Sequence, residues 1–247
     1  MTISALIIAR DEEKKIEECL SSLNFADEIV VILDRSTDKT FKICKTFSNK
    51  IFTGEWTCEG ERRNFGIEKC SSEWIFEIDA DEIISKDLAR EVKKKIRLHK
   101  FDYFYIPLMN HIYSKPIKYG WMACLAPDGK FCVFKKQNKH WHKGLVHPSY
   151  SLKGEKGPMF DNYINHFMSK DISELLARFN RNSSLHAIEL KKTNKNLNKH
   201  FSLRKVFSRF IKSFFLRKGY KEGKMGLLIC ILNAVYPIVS AIKSKAD

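Results

Sequence analysis

Trp74-Ile-Phe-Glu-Ile-Asp-Ala-Asp-Glu82 is an apolar run that ends abruptly in the carboxylates Asp79, Asp81 and Glu82. A strand that stops in closely spaced carboxylates suits a hard divalent cation, because oxygen ligands match Mg2+ and Mn2+ and the strand fixes their separation. Such a cation would in turn hold a diphosphate. A bare Asp-x-Asp is also common in solvated turns, so its surroundings decide its meaning.

Those surroundings alternate short apolar runs with amphipathic segments. Residues 3–8 read as a buried strand, and Asp11 is placed to cap a helix with the face Ile16, Cys19, Leu20 and Leu23. Residues 29–33 form a second strand, closed by Asp34-Arg-Ser-Thr-Asp38, and Phe41, Cys44 and Phe47 mark a second helix. Ile51 and Phe52 suggest a third strand, 61–69 a third helix and 74–78 a fourth strand; Ser85 then caps a helix carrying Leu88, Val92 and Ile96. Strands and helices alternating at this spacing predict an α/β, Rossmann-like, mostly parallel sheet with helices on both faces. Ligands bind beyond the carboxyl ends of such strands. Ala9-Arg10-Asp11-Glu12, Asp34-Arg35-Ser36-Thr37-Asp38 and Asp79-Ala80-Asp81 should therefore converge on one rim. Helix capping explains Asp11 and Thr37 or Asp38, but less readily carboxylates at all three strand ends.

In this order, together with Glu61-Arg-Arg-Asn-Phe-Gly66, these segments resemble the family 2 glycosyltransferases, and more narrowly the bacterial lipopolysaccharide-core β-1,4-glucosyltransferases. The resemblance is specific over about the first 110 residues and weaker beyond. It implies a GT-A fold, a nucleotide-diphosphate sugar donor, Mg2+ or Mn2+, and inversion at the anomeric carbon. Carried onto this chain, it implies that Ala9, Arg10, Asp11 and Asp34 hold the base and ribose, and that Arg62, Arg63 and Asn64 approach the diphosphate or nucleotide edge. Asp79 and Ala80 would lie near the ribose or sugar, with Asp81 the more direct metal ligand and Asp79 beside it. A carboxylate accepts from vicinal hydroxyls and guanidinium binds phosphate in a fork, which agrees with these roles. The segment after the second strand is one residue shorter than the usual Asp-Ser-Gly-Ser-Thr-Asp.

Gly120-Trp121, Pro127-Asp128 and Phe131-Cys-Val-Phe-Lys135 resemble the family's Gly-Trp, Pro-Asp and Arg-Leu-Phe-Arg segment, and His147 matches a His usually followed by Glu, here Pro148. An inverting transferase needs a group to take the acceptor hydroxyl's proton, and Asp128 and His147 are the candidates. Both have plainer readings, Asp128 as part of a turn before Gly129 and His147 as a loop residue. His140-Trp141-His142 lacks the companions of a zinc motif, and His111 and His166 have no assigned role.

The chain of 247 residues, 44% of them hydrophobic, can bury a substantial core. Seven scattered cysteines without a C-x-x-C pair read as reduced thiols, and residues 3–9 are too short and lack the basic flank of a secretion signal, which together favour the cytoplasm. The formal net charge of +15 calls for a polyanionic partner, and nine Lys or Arg against one acid lie within 199–224. There Leu203, Val206, Phe207, Phe210, Ile211 and Phe214 fall at helical spacing opposite Arg204, Lys205, Ser208, Arg209 and Lys212. Such a helix fits an anionic membrane surface, at the inner face of the cytoplasmic membrane, better than a solvated face with interspersed acids. Residues 225–242 are apolar but interrupted by Pro237, and favour docking over spanning. A polar link is expected near 191–199.

The expected organisation is a nucleotide-sugar half at 1–110, an acceptor and catalytic part at 111–170, and a helical, basic, membrane-associating extension at 171–247. The expected activity is transfer of a sugar, most readily from a UDP-sugar, to a lipid-linked or lipopolysaccharide-core saccharide. A nucleotidyltransferase is the enzymatic alternative, without the basic glycine-rich phosphate loop it needs. A non-catalytic basic membrane or nucleic-acid module is the other; base-stacking motifs are absent and the acidic rim repels phosphate, so no nucleic acid is expected.

Overall fold

A computed structural model describes residues 1–144, 148–192 and 202–245. The chain forms two compact units, one of residues 1–108 and 129–166, the other of 109–128 and 167 onward. In the first unit β1 (Ile3–Ala9), β2 (Glu28–Asp34), β3 (Lys50–Gly54) and β4 (Trp74–Asp79) run parallel in the order β3-β2-β1-β4. Every residue of β1 is buried, as a strand covered on both faces requires. Ile3, Ala5 and Ile7 pack in one cluster with Ile16, Cys19 and Leu20 of α1 (Ile16–Ser21), with Cys44 of α2 (Thr40–Cys44) and with Leu88 and Val92 of α4 (Lys86–Ile96). Leu6 and Ile8 pack in another with Val30, Ile32 and Ile67, the last from α3 (Glu59–Lys69). The expected α/β sheet with helices on both faces is thus present. The expected cap holds too, with Ser85 Oγ accepting from Leu88 N at 3.1 Å.

The sheet does not stay parallel. β5 (Glu82–Ile83) is a short edge segment, and β6 (Tyr103–Ile112) begins in the first unit and ends in the second. β8 (Gly129–Lys135) pairs antiparallel with β4 on one side and with β6 on the other. A hairpin of β9 (Lys139–Trp141) and β10 (Tyr150–Leu152) follows, and β11 (Ile164–Ser169) pairs antiparallel with β5.

At the end of the sheet where β2 begins, one carboxylate gathers several elements. Glu28 accepts from Ser4 Oγ of β1, Lys50 Nζ of β3 and, before β4, Ser71 N and Oγ at 2.5 and 2.7 Å. Burial alone would raise its pKa, but these donors outweigh burial and lower it to about 2.

The second unit is helical. It contains β7 (Lys115–Ile117), paired with the end of β6, and α5 (Ile172–Lys192), α6 (Leu203–Ile211) and α7 (Gly223–Lys245). Ile112, Trp121, Leu125, Met168, Leu175, Ile229 and Leu232 form its core. The polar link expected near 191–199 lies, from 193 on, outside the described residues.

Pro237, read as an interruption, stands inside a continuous α7. A helical proline leaves the carbonyl four residues earlier without its donor, here that of Asn233. Arg209 of α6 supplies one, its Nε donating to Asn233 O at 2.9 Å. Arg209 therefore belongs to the unit's interior contacts rather than to a free basic face. By length and composition α7 could cross a membrane, yet half of its most apolar window is buried.

Because the Glu28 carboxyl is depressed in the fold, its contribution is full above the ordinary value of 4.5 and disappears as pH falls through about 2. Glu28→Gln should cost roughly 1–3 kcal/mol at pH 7, as charged hydrogen bonds do. Urea unfolding at pH 7 and at low pH checks this, with the two proteins converging in acid.

Candidate active site

Alternation along β4 sends Trp74, Phe76 and Ile78 into the cluster under α1 and α4, and Ile75 into the cluster with α3. Glu77 and Asp79 share the Ile75 face. Glu77 is 2% exposed, and a buried charge persists only when paired. Arg63 of α3 and Lys139 of β9 meet it, Arg63 Nη1 on Oε1 at 2.5 Å and Lys139 Nζ on Oε2 at 2.7 Å. Lys139 also lies over the Trp141 ring, 4.1 Å from its centroid. Arg63 further binds Glu59 Oε1 at 2.6 Å and Asp79 Oδ1 at 3.3 Å.

β8 brings the next cation. It runs antiparallel to β4, pairing Trp74 with Lys135 and Phe76 with Val133, and carries Lys130 near its start. Lys130 Nζ lies 3.0 Å from Asp79 Oδ2 and 2.6 Å from Glu82 Oε2. Glu82, 1% exposed, also accepts from Asp79 N at 2.9 Å, closing the turn after β4. Burial opposes the charge on Asp79, but its side chain keeps 37% of its surface open and Lys130 and Arg63 hold the carboxyl well below the usual range. Burial pushes the Glu82 carboxyl up, against the pull of Lys130. Asp81 turns to β11, its Oδ2 3.3 Å from His166 Nε2.

The other strand ends join the same rim. Asp34, 3% exposed, accepts from Arg62 Nη1 at 2.8 Å, Arg35 Nη2 at 3.0 Å and Trp56 N at 3.3 Å. Arg62 Nε is buried without a hydrogen-bond partner. Ala9 closes β1 in the core, while Arg10 is exposed. Asp11, expected as a helix cap, instead takes φ +53° and laces two loops together, accepting from Thr37 N at 2.8 Å and donating its own N–H to Ser36 Oγ at 3.2 Å. Asn64 spends both ends of its amide on Trp141, Nδ2 to the carbonyl at 2.9 Å and Oδ1 from the N–H at 3.0 Å. Beside it, a Cβ on Gly60 would lie 2.0 Å from the His142 carbonyl oxygen, so the hairpin can approach α3 this closely only at glycine.

Asp34, Arg62, Arg63, Asp79, Ala80 and Asp81 thus lie in the first unit. Asp128 lies in the second, its side chain 66% exposed and paired with Arg217 Nη1 at 2.9 Å. His147 is outside the described residues. The sequence assigned no role to Glu77, Lys130 or His166, and named Glu82 only as one of the carboxylates that end the run. Glu77 carried a signal, a charge inside an apolar run; Lys130 carried none until the register of β8 was known.

A divalent cation fits this donor set in one way. Among the described residues no group of three or more His, Cys, Asp or Glu side chains is arranged to hold a metal. Mg2+-type sites, however, commonly use one or two protein ligands and complete their shell with substrate phosphates and water. Two ligands at right angles on one ion lie roughly 3 Å apart, and Asp81 Oδ2 and His166 Nε2 are 3.3 Å apart.

The model of the family described as Glycosyl transferase family 2 matches residues 4–150, spanning the whole of this rim except β11. The chain belongs to glycosyl transferase family 2. It is 27% identical over 241 residues to an uncharacterized glycosyltransferase of Rickettsia typhi, covering 94% of this chain and 82% of that one. It is 23% identical over 250 residues to the lipopolysaccharide core biosynthesis glycosyltransferase LpsC of Rhizobium meliloti, covering 98% and 92%. Among solved structures it is similar to S. aureus TarS 1-349 in complex with UDP, with a TM-score of 0.51, 14% identity, and coverage of 100% and 91%. That likeness is one of fold and agrees with a GT-A arrangement.

Removing Arg63 strips a cation from Glu59, Glu77 and Asp79 together. Arg63→Met should destabilise the protein by about 3–5 kcal/mol, the usual cost of a broken buried pair. A thermal unfolding midpoint within a degree of wild type would contradict this.

Proposed function

We propose that this family 2 glycosyltransferase is metal-dependent and inverting, and moves a sugar from a nucleotide-diphosphate donor to a lipid-linked or lipopolysaccharide-core saccharide at the inner face of the cytoplasmic membrane. The observation that carries the reading is the rim itself, where Asp34 with Arg62, Asp79 with Arg63 and Lys130, and Asp81 with His166 succeed one another across the ends of parallel strands. Asp34 and the segment from Ala9 to Asp11 would receive the base and ribose. Arg62, its side chain 19% exposed beside Asp34, would approach the diphosphate or the nucleotide edge. Arg63 and Asn64, assigned to the donor by the resemblance, would support it from beneath through Asp79 and the hairpin. Asp79 and Ala80 would border the ribose or sugar, and Asp81 with His166 would hold Mg2+ or Mn2+. When bound, the cation supplies Lewis-acid neutralisation of the departing nucleotide diphosphate. Asp128 or His147 would take the proton from the acceptor hydroxyl as it attacks the anomeric carbon from the face opposite the leaving group. LpsC, named for lipopolysaccharide core biosynthesis, supports the acceptor class. UDP is the first nucleotide to test because the fold neighbour TarS binds it.

The second unit supports the membrane part of the proposal. Leu203, Phe207 and Leu216 are 78%, 68% and 74% exposed. Arg204, Lys205, Lys212, Lys218 and Lys221 accompany them. Apolar anchors with basic neighbours bind anionic bilayers, each cation near the surface adding about 1 kcal/mol.

Donor turnover measured over a panel of UDP- and GDP-sugars should require Mn2+ or Mg2+, and Asp81→Ala should lower it by about 100-fold, the scale of losing a metal ligand's charge stabilisation. Turnover indifferent to chelation in wild type would defeat the metal assignment. In liposome flotation, recovery should rise with anionic lipid and fall in the Phe207→Ser/Leu216→Ser variant. Equal recovery on neutral and anionic vesicles would count against surface docking.

A further inference from the structure

In the second unit the loop after β7 is pinned to the turn that precedes α7, which contains a short 3-10 helix, Gly219–Glu222. Glu222 Oε1 accepts from Lys118 N at 2.9 Å and from Tyr119 N at 3.0 Å, and Gly120 N donates to Arg217 O at 2.9 Å. A Cβ on Gly120 would lie 3.1 Å from Gly219 Cα, so the two backbones touch. This contact sets two ammonium groups on one ring, with Lys118 Nζ 5.7 Å and Lys221 Nζ 5.5 Å from the centroid of Tyr119. Both lysines are exposed, and among the described residues neither stands in an ion pair. Glu222, the one acid of the turn, is spent on backbone amides instead. A ring face attracts and orients an ammonium without neutralising it. Each ammonium therefore keeps N–H donors for a further acceptor, and two like charges gathered on one ring favour an anion that joins them. The surroundings say where that anion sits. Tyr220 lies 6.1 Å from the Phe214 ring, and Phe215, Leu216 and Tyr220 are all exposed beside Lys218 and Lys221. Apolar anchors among cations belong at the boundary between headgroups and acyl chains.

We propose that Lys118, Tyr119 and Lys221 form a binding site for the phosphate of a membrane lipid's headgroup, with preference for a phosphomonoester. Such a group carries nearly two charges at neutral pH and three acceptor oxygens, enough to meet both ammonium groups at once. Lysine suits the role because it binds phosphate as a point charge. The inference rests on the membrane reading of the second unit and goes beyond it. General attraction to an anionic surface depends on how many cations are present, whereas this site depends on where two of them stand.

Partition of the full chain onto phosphatidylcholine vesicles tests it, the vesicles carrying either phosphatidic acid, a phosphomonoester, or phosphatidylglycerol, a diester, at matched zeta potential. Wild type should favour phosphatidic acid by about tenfold, the scale of a hydrogen bond to a charged group. Lys118→Ala/Lys221→Ala should abolish that preference, and so should Tyr119→Leu, which leaves the net charge unchanged. Arg204→Ala/Lys205→Ala, which removes two cations from α6, should weaken binding to both kinds of vesicle and keep the preference. Equal partition of wild type onto the two anionic vesicles, or a preference that survives in the folded Lys118→Ala/Lys221→Ala variant, overturns the site. Inorganic phosphate, compared with chloride at equal ionic strength, should leave the protein on the phosphatidic acid vesicles; release by it makes free phosphate the ligand and overturns the lipid assignment. Failure to bind either anionic vesicle overturns the membrane reading, and this inference with it.

Discussion

Arg63 is the interaction on which the rim depends. Glu77 lies inside an apolar strand and Asp79 at its end, on the face that α3 covers, and neither charge is tolerable there without a partner. One guanidinium answers both and reaches back to Glu59 on its own helix. Because its donors are held in a rigid plane, Arg63 fixes the positions of the carboxylates as well as neutralising them. Lys139 and Lys130 extend the same chain of alternating charge, one inward under Trp141 and one outward toward Glu82.

This arrangement explains how a parallel sheet edge can carry so many acids and remain folded. The loops after β1 and β2 are laced to each other through Asp11, Ser36 and Thr37, and by Glu13 with Asp38 and Lys39. Part of the acidity at these strand ends is thus structural. Asp34, Asp79 and Asp81 differ in being held by cationic side chains, or by an imidazole, rather than by backbone alone. Such groups are suited to meeting a ligand that itself brings phosphate, hydroxyl groups and a metal.

The second unit uses its cations in two ways. Arg209 caps the carbonyl that Pro237 leaves open, and Arg217 binds Asp128 and the carbonyl of Trp121 at 2.8 Å. Lys243 is spent on α5, donating to the Asn180 carbonyl at 2.8 Å and to Ser183 Oγ at 2.8 Å. A high net charge is therefore an incomplete guide to a basic surface, since long basic side chains also close gaps in helix packing.

The alternation of β1 to β4 with their helices was legible in the sequence because hydrophobic period and capping are local signals. So were the acidic strand ends and the family itself, which rests on ordered motifs. The roles within the rim were not legible, because they arise from pairs far apart in the chain: Lys130 meets Asp79 only because β8 lies antiparallel against β4. His166 comes to Asp81 only because β11 lies against β5, with His166 opposite Glu82. Pro237 read as a break because its satisfying donor, Arg209, sits on another helix. The sequence by itself determined which residues could form strands, helices and a charged edge. The tertiary structure decided which charges meet, since the electrostatics of a buried carboxylate depend on what lies within a few ångströms of it rather than on its neighbours along the chain.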